Sequence, residues 1–160
     1  MKNLSLFSLL FITITFTLNI SSSELDLSEC KIEPIEKERS FTKNFDGVFN
    51  GKKLTYSASV KEKILYEKDD PSAPLASFFY SEYIVKNNKN RPVMFVFNGG
   101  PGSASLWLHM GVLGPKVVKV PSDASDDGSA PYKIIDNNLS PLSQTDMVFI
   151  DPVGTGYSRA

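Results

Sequence analysis

Two short apolar runs, each broken off by a glycine-rich loop, constrain this chain most. Pro92-Val93-Met94-Phe95-Val96-Phe97 ends at Asn98-Gly99-Gly100-Pro101-Gly102. Asp146-Met147-Val148-Phe149-Ile150 ends at Asp151-Pro152-Val153-Gly154-Thr155-Gly156-Tyr157-Ser158. Continuous apolar runs of this length read as central strands of an α/β sheet, buried on both faces. In open α/β sheets ligands gather where strands end at their carboxyl side, so both loops are candidate site elements.

The rest of the chain fits around these strands. Leu54, Tyr56, Ala58 and Val60 alternate with Thr55, Ser57 and Ser59, the period of a half-buried strand. Ile64-Leu65-Tyr66 reads as its hairpin partner. Asp69 to Pro74 is a turn cluster, and Ser77 to Val85, rich in aromatic and β-branched residues, is a further strand. After the first glycine loop, Leu106, His109, Met110 and Leu113 fall on one face of a helix that starts at Ser103 or Ala104 and is ended by Gly114-Pro115. Pro121 to Pro131 reads as a solvated polar loop, and Tyr132 to Ile135 as a short strand.

The N-terminal residues stand apart. Met1-Lys2-Asn3 carries a positive charge, Leu4 to Ile20 carries none, and Ser21-Ser22-Ser23 precedes the first acid. This order reads as a secretory signal peptide over 1–23, with an uncleaved anchor or a buried helix as alternatives. The run is shorter than the ~20 residues that span a bilayer. Export is therefore expected, with no stable membrane association after cleavage. Glu24 to Asn44 reads as an exposed charged leader, and 45–160 as the folded part. Asn138-Leu139-Ser140 is a glycosylation sequon, relevant only in a cell that glycosylates.

Counts exclude several chemistries. Seventeen Lys and Arg against 18 Asp and Glu leave no basic excess for a nucleic-acid backbone. Cys30 is the only cysteine, so no disulfide forms within the chain; His109 is the only histidine, so a multi-histidine metal site is excluded. Walker A is absent, and Arg159 stands where a dinucleotide fingerprint needs its third glycine. Asp151 alone reads as a capping or turn aspartate before it reads as a metal ligand. No cofactor is expected. From the glycines alone, Gly99 to Gly102 is either a tight strand-to-helix turn or a donor of amides to a developing oxyanion.

Taken together, Asn98 to Ser105, then Leu113-Gly114-Pro115, then Asp151 to Ser158 resemble the serine carboxypeptidases, in that family's order and at about its spacing. The resemblance covers Arg91 to Ala160 and, more loosely, Phe45 to Val85. It implies the N-terminal part of an α/β-hydrolase fold, antiparallel strands leading into a mostly parallel sheet, incomplete as given. It implies a peptidase that removes C-terminal residues with a Ser/Asp/His triad. By position, Gly100 would give an oxyanion-hole amide. Asn98 and Gly99 would bind the substrate's C-terminal carboxylate, and Trp107 would lie near the pocket for the departing residue. The wording of the motifs looks more bacterial than plant or yeast.

There are departures from the family pattern. Ser103 replaces a cysteine of many eukaryotic members, Val96 and Phe97 replace the common Trp and Leu, and Val112 stands where some members have a glutamate. No Gly-x-Ser-x-Gly nucleophile elbow occurs. The expectation is a fragment without catalytic residues, inactive alone and poorly soluble or partly molten. His109, on its helix's apolar face, reads as a packing residue; Ser103, Ser105 and Ser158 read as cap or loop serines. A proline iminopeptidase is the alternative enzyme. A pseudoenzyme or binding module for peptide C-terminal carboxylates is the alternative outside enzymes.

Overall fold

The computed structural model describes residues 37–160 except 89, 101, 122, 124 and 126–129. The segment read as a signal peptide, Cys30 and all but the last residues of the stretch read as a charged leader lie outside the described residues.

Three long antiparallel strands open the fold: β1 (Ser40–Phe49), β2 (Lys52–Tyr66) and β3 (Pro74–Val85). β1 begins inside the stretch read as leader. Ser40 to Asn44 are exposed on both faces, so no apolar alternation marks them as strand. Ile64 to Tyr66 continue β2 instead of forming its hairpin partner. Nothing at Lys61-Glu62-Lys63 can turn the chain. The turn lies at Asn50-Gly51, where φ is +49° and +76° and Phe49 pairs with Lys52. A two-residue hairpin of this kind needs positive φ at both central positions, which Asn-Gly tolerates best.

β4 (Val93–Val96) and β7 (Asp146–Ile150) complete a five-stranded sheet in the order β1-β2-β3-β7-β4. β7 is antiparallel to β3 and parallel to β4. The sheet is thus mixed: antiparallel strands lead into one parallel pair among the described residues, which is compatible with part of an α/β fold. Between β4 and β7 come a short helix α1 (Leu106–Leu108) running into a wide π turn at His109–Leu113, then β5 (Lys116–Val118), β6 (Ile134–Asp136) and a 3-10 turn at Pro141–Ser143. β5 and β6 pair with each other as a separate two-stranded ribbon.

Register decides which face carries the core. Met94 pairs with Met147, Val96 with Phe149, and Met147 with Tyr83, so these side chains share one face. Leu108, Leu113 and Leu142 pack on that face, and Leu142, Met147 and Phe149 are at most 1% exposed. Truncating such a side chain to alanine typically costs about 2–5 kcal/mol. The opposite face carries Phe95, Val148, Ile150, Tyr80 and Phe78. There Val93 is 47% and Phe95 62% exposed. The expected burial of β4 on both faces does not hold: among the described residues helices and turns cover one face, and β4 is an edge strand.

A buried ion pair fixes where β4 and β7 start. Arg91 Nε lies 2.9 Å from Asp146 Oδ1, which also accepts the Val85 amide at 3.0 Å, and Arg91 donates to the Leu142 carbonyl. Both side chains are under a tenth exposed. Neither side chain has a fully buried polar atom without a partner, the condition under which a buried pair is tolerated.

Candidate functional site

The first glycine loop leaves β4 at Phe97 and enters α1 at Leu106. Gly100 has φ +112° and Gly102 φ +93°, a region closed to ordinary side chains. A Cβ at Gly99 or Gly100 would meet nothing within 4 Å, so backbone conformation, not crowding, is what asks for glycine at position 100. Both glycines are exposed. Asn98 is half-buried, and its Nδ2 donates to Ser103 Oγ at 3.1 Å, which closes a ring across the glycines. The amide's second N–H remains for another acceptor.

The second glycine loop reaches the first through Asp151. This carboxylate, 7% exposed, accepts the Ser105 amide at 2.8 Å and the Ser105 hydroxyl at 2.9 Å, both on Oδ1. Ser158 Oγ donates to the Asp151 carbonyl at 2.6 Å and accepts the Phe79 amide at 2.8 Å. Asp151 acts as a cap, but the amide it takes is that of Ser105, the residue before α1, 46 residues away in sequence. Ser103, Ser105 and Ser158 take cap and loop roles.

The helix departs from its expected face. His109 N donates to Ser105 O, four residues back, but Gly114 N donates to His109 O, five residues back. The wider turn breaks the 3.6-residue spacing. Leu108, His109 and Leu113 turn to the sheet, whereas Leu106 and Met110 turn to an apolar cleft of about 470 Å³ with Trp107, Val118, Val120 and Tyr132. Trp107 is 72% exposed on that cleft's wall. Gly114 is required for the turn to close: a Cβ there would stand 2.3 Å from the His109 carbonyl oxygen.

His109 is a packing residue, as expected. Its ring stacks on Phe149 at 4.3 Å, and Nε2 lies 2.6 Å from Tyr83 Oη. Burial pushes its pKa down to about 4, against a smaller upward pull from Asp151. It is neutral at pH 7. Burial likewise lifts Tyr83 to about 12, so the phenol keeps its proton and can donate to the imidazole.

Comparison with known families adds a match to the serine carboxypeptidase model over residues 57–160. The chain belongs to the serine carboxypeptidase family. Comparison with curated proteins found no match. The match takes in β3 and most of β2 besides the two glycine loops, so it reaches further toward the N-terminus than the motifs alone, and it favours this family over a proline iminopeptidase.

For a serine carboxypeptidase, the departures acquire physical content. Ser103, in place of a cysteine, is the partner of Asn98. Val96 is buried in the core and Phe97 is 62% exposed beside the loop. Val112 is 59% exposed and puts no carboxylate there. The sequence reading missed the Asn98–Ser103 and Ser105–Asp151 bonds. The one available signal was an aspartate placed at the carboxyl end of a buried strand, where a capping partner must come from elsewhere in the fold.

Proposed function

We propose that this chain carries the substrate-recognition elements of a serine-type carboxypeptidase with an α/β-hydrolase fold. Gly100 offers its amide to the developing oxyanion. Asn98 and Gly99 hold the C-terminal carboxylate of a peptide, and Trp107 borders the space for the departing residue. The observation that carries this reading is the left-handed backbone at Gly100 and Gly102, between β4 and α1, in a chain of this family. A carboxylate grip of this kind explains exopeptidase action, because only a chain end presents that group.

Cleavage needs more than these residues. No Gly-x-Ser-x-Gly occurs in the 160 residues, and the single histidine is neutral and engaged by Tyr83. Oxyanion and binding contributions are what persists when triad residues are absent. We infer that these 160 residues bind a peptide end without hydrolysing it, the behaviour of a binding module. We also infer an exported protein that binds peptides without a cofactor.

The test is binding of a fluorescent peptide with a free C-terminus against its C-terminal amide. Charge-assisted hydrogen bonds are each worth about 1.5–3 kcal/mol, so the acid should bind roughly tenfold tighter or more. Equal affinity refutes the carboxylate grip. Sustained hydrolysis of a blocked dipeptide, retained after repurification, refutes the inactivity.

A further inference from the structure

We propose that Asp151 is the positioning residue of the first glycine loop: its buried carboxylate anchors Ser105 and thereby sets where the Gly99 and Gly100 amides stand. The loop has two holding points. At one end Asn98, two residues past β4, is latched to Ser103 at 3.1 Å. At the other, Ser105 precedes α1 and makes no capping bond with its own side chain. The amide at that helix start needs an acceptor, and Asp151 Oδ1 supplies it at 2.8 Å while also taking the Ser105 hydroxyl. Without this acceptor a buried amide and hydroxyl are left unpaired, and the chain between Ser103 and Leu106 has reason to move.

The second glycine motif holds the carboxylate in place. Gly156 has φ +53°, and a Cβ there would lie 2.1 Å from Asp151 Oδ2 and 3.2 Å from Ala104 Cβ. Its backbone presses on the carboxylate's free side and on the loop itself, which only glycine allows. Ser158 fixes the Asp151 carbonyl and ties it to β3 through the Phe79 amide. The two motifs, some 50 residues apart, thus form one unit in which the second sets the geometry of the first. The catalytic meaning rests on the reading of Asn98, Gly99 and Gly100 above; the anchoring does not.

Selective 15N-glycine labelling gives ten amide signals in this chain. Asp151→Ala should shift those of Gly99, Gly100 and Gly102, leave Gly47 and Gly51 of the β1–β2 region in place, and cut the preference for peptide acid over amide about tenfold. Gly156→Ala should move the same loop signals. Asp151→Asn, whose Oδ1 can still accept both Ser105 bonds, should restore the loop signals and the preference. Unmoved loop signals in a folded Asp151→Ala overturn the proposal, and so does an Asp151→Asn variant indistinguishable from it. If Asp151→Ala loses all ten signals, Ser105→Ala decides: a shift confined to the loop supports the anchor, and none overturns it. A parent chain that binds acid and amide alike refutes the carboxylate reading instead, and the shifts alone then decide the anchor.

Discussion

Taking the chain from pH 7 to pH 5 should remove about 2 kcal/mol of stability, nearly all of it through His109. The ring is stacked on Phe149 and engaged by Tyr83, and its pKa is held at about 4 against 6.5 for a free histidine. Below pH 6.5 the unfolded chain takes up a proton that the folded chain refuses until about pH 4. Stability therefore falls as pH drops through this window and is intact above it. At pH 5 the unfolded state is favoured by a factor of roughly 30, which is about 2 kcal/mol. His109 is the only histidine, so no other imidazole contributes. The assay is urea unfolding followed by circular dichroism at low micromolar concentration, at pH 7, 6 and 5. His109→Gln can still hydrogen-bond Tyr83 but does not titrate, so its stability should stay nearly level. A parent protein that keeps its stability to pH 5, or a variant that declines equally, would refute the reasoning.

A second acid step belongs to Glu62. Hydrogen bonds from Arg39 at 2.8 Å, and then Arg159 at 3.0 Å, hold its carboxyl at about 2 although burial opposes this. Its stabilisation is present above about pH 4.5 and lost on the way to pH 2. Both arginines face solvent, so screening reduces the full shift, and Glu62→Gln should cost roughly 2 kcal/mol at pH 7 and almost nothing at pH 2 in the same unfolding assay. Gly114→Ala puts a methyl group into the His109 carbonyl and should lower stability by about 2–3 kcal/mol, read as a drop in Tm; an unchanged Tm would contradict the wide turn. Phe95→Ser should reduce concentration-dependent association in light scattering, because Phe95 is exposed on a strand that ends the sheet among the described residues. Equal association of the two proteins would clear that face of responsibility.

The strands were legible where apolar residues are packed and hidden where they are not. β7 lies where its apolar run places it, because register with β3 and β4 buries Met147 and Phe149. The start of β1 and the Lys61-Glu62-Lys63 stretch of β2 gave no apolar period, since ladder pairing holds them and their side chains make salt links such as Lys61–Glu82 and Lys63–Glu38. Asn50-Gly51 was a readable turn signal that the alternation of β2 overshadowed. The helix was misjudged because one added residue in a turn cannot be read from spacing. Its evidence is a backbone hydrogen bond from Gly114 to His109 and the absence of room for a Cβ.

The site divides the same way. Local sequence alone placed flexible glycines directly after a strand and the family motifs around them, because positive φ is a property of one residue and its neighbours. It also determined the balance of charge and the lone histidine and cysteine. Only the tertiary structure decided that Asp151 caps Ser105, that Ser103 holds Asn98, that His109 is stacked and neutral, and that among the described residues one sheet face is covered while the other is open. Those outcomes depend on which distant backbone groups are left needing a partner once the strands pair, and that is settled by register in three dimensions.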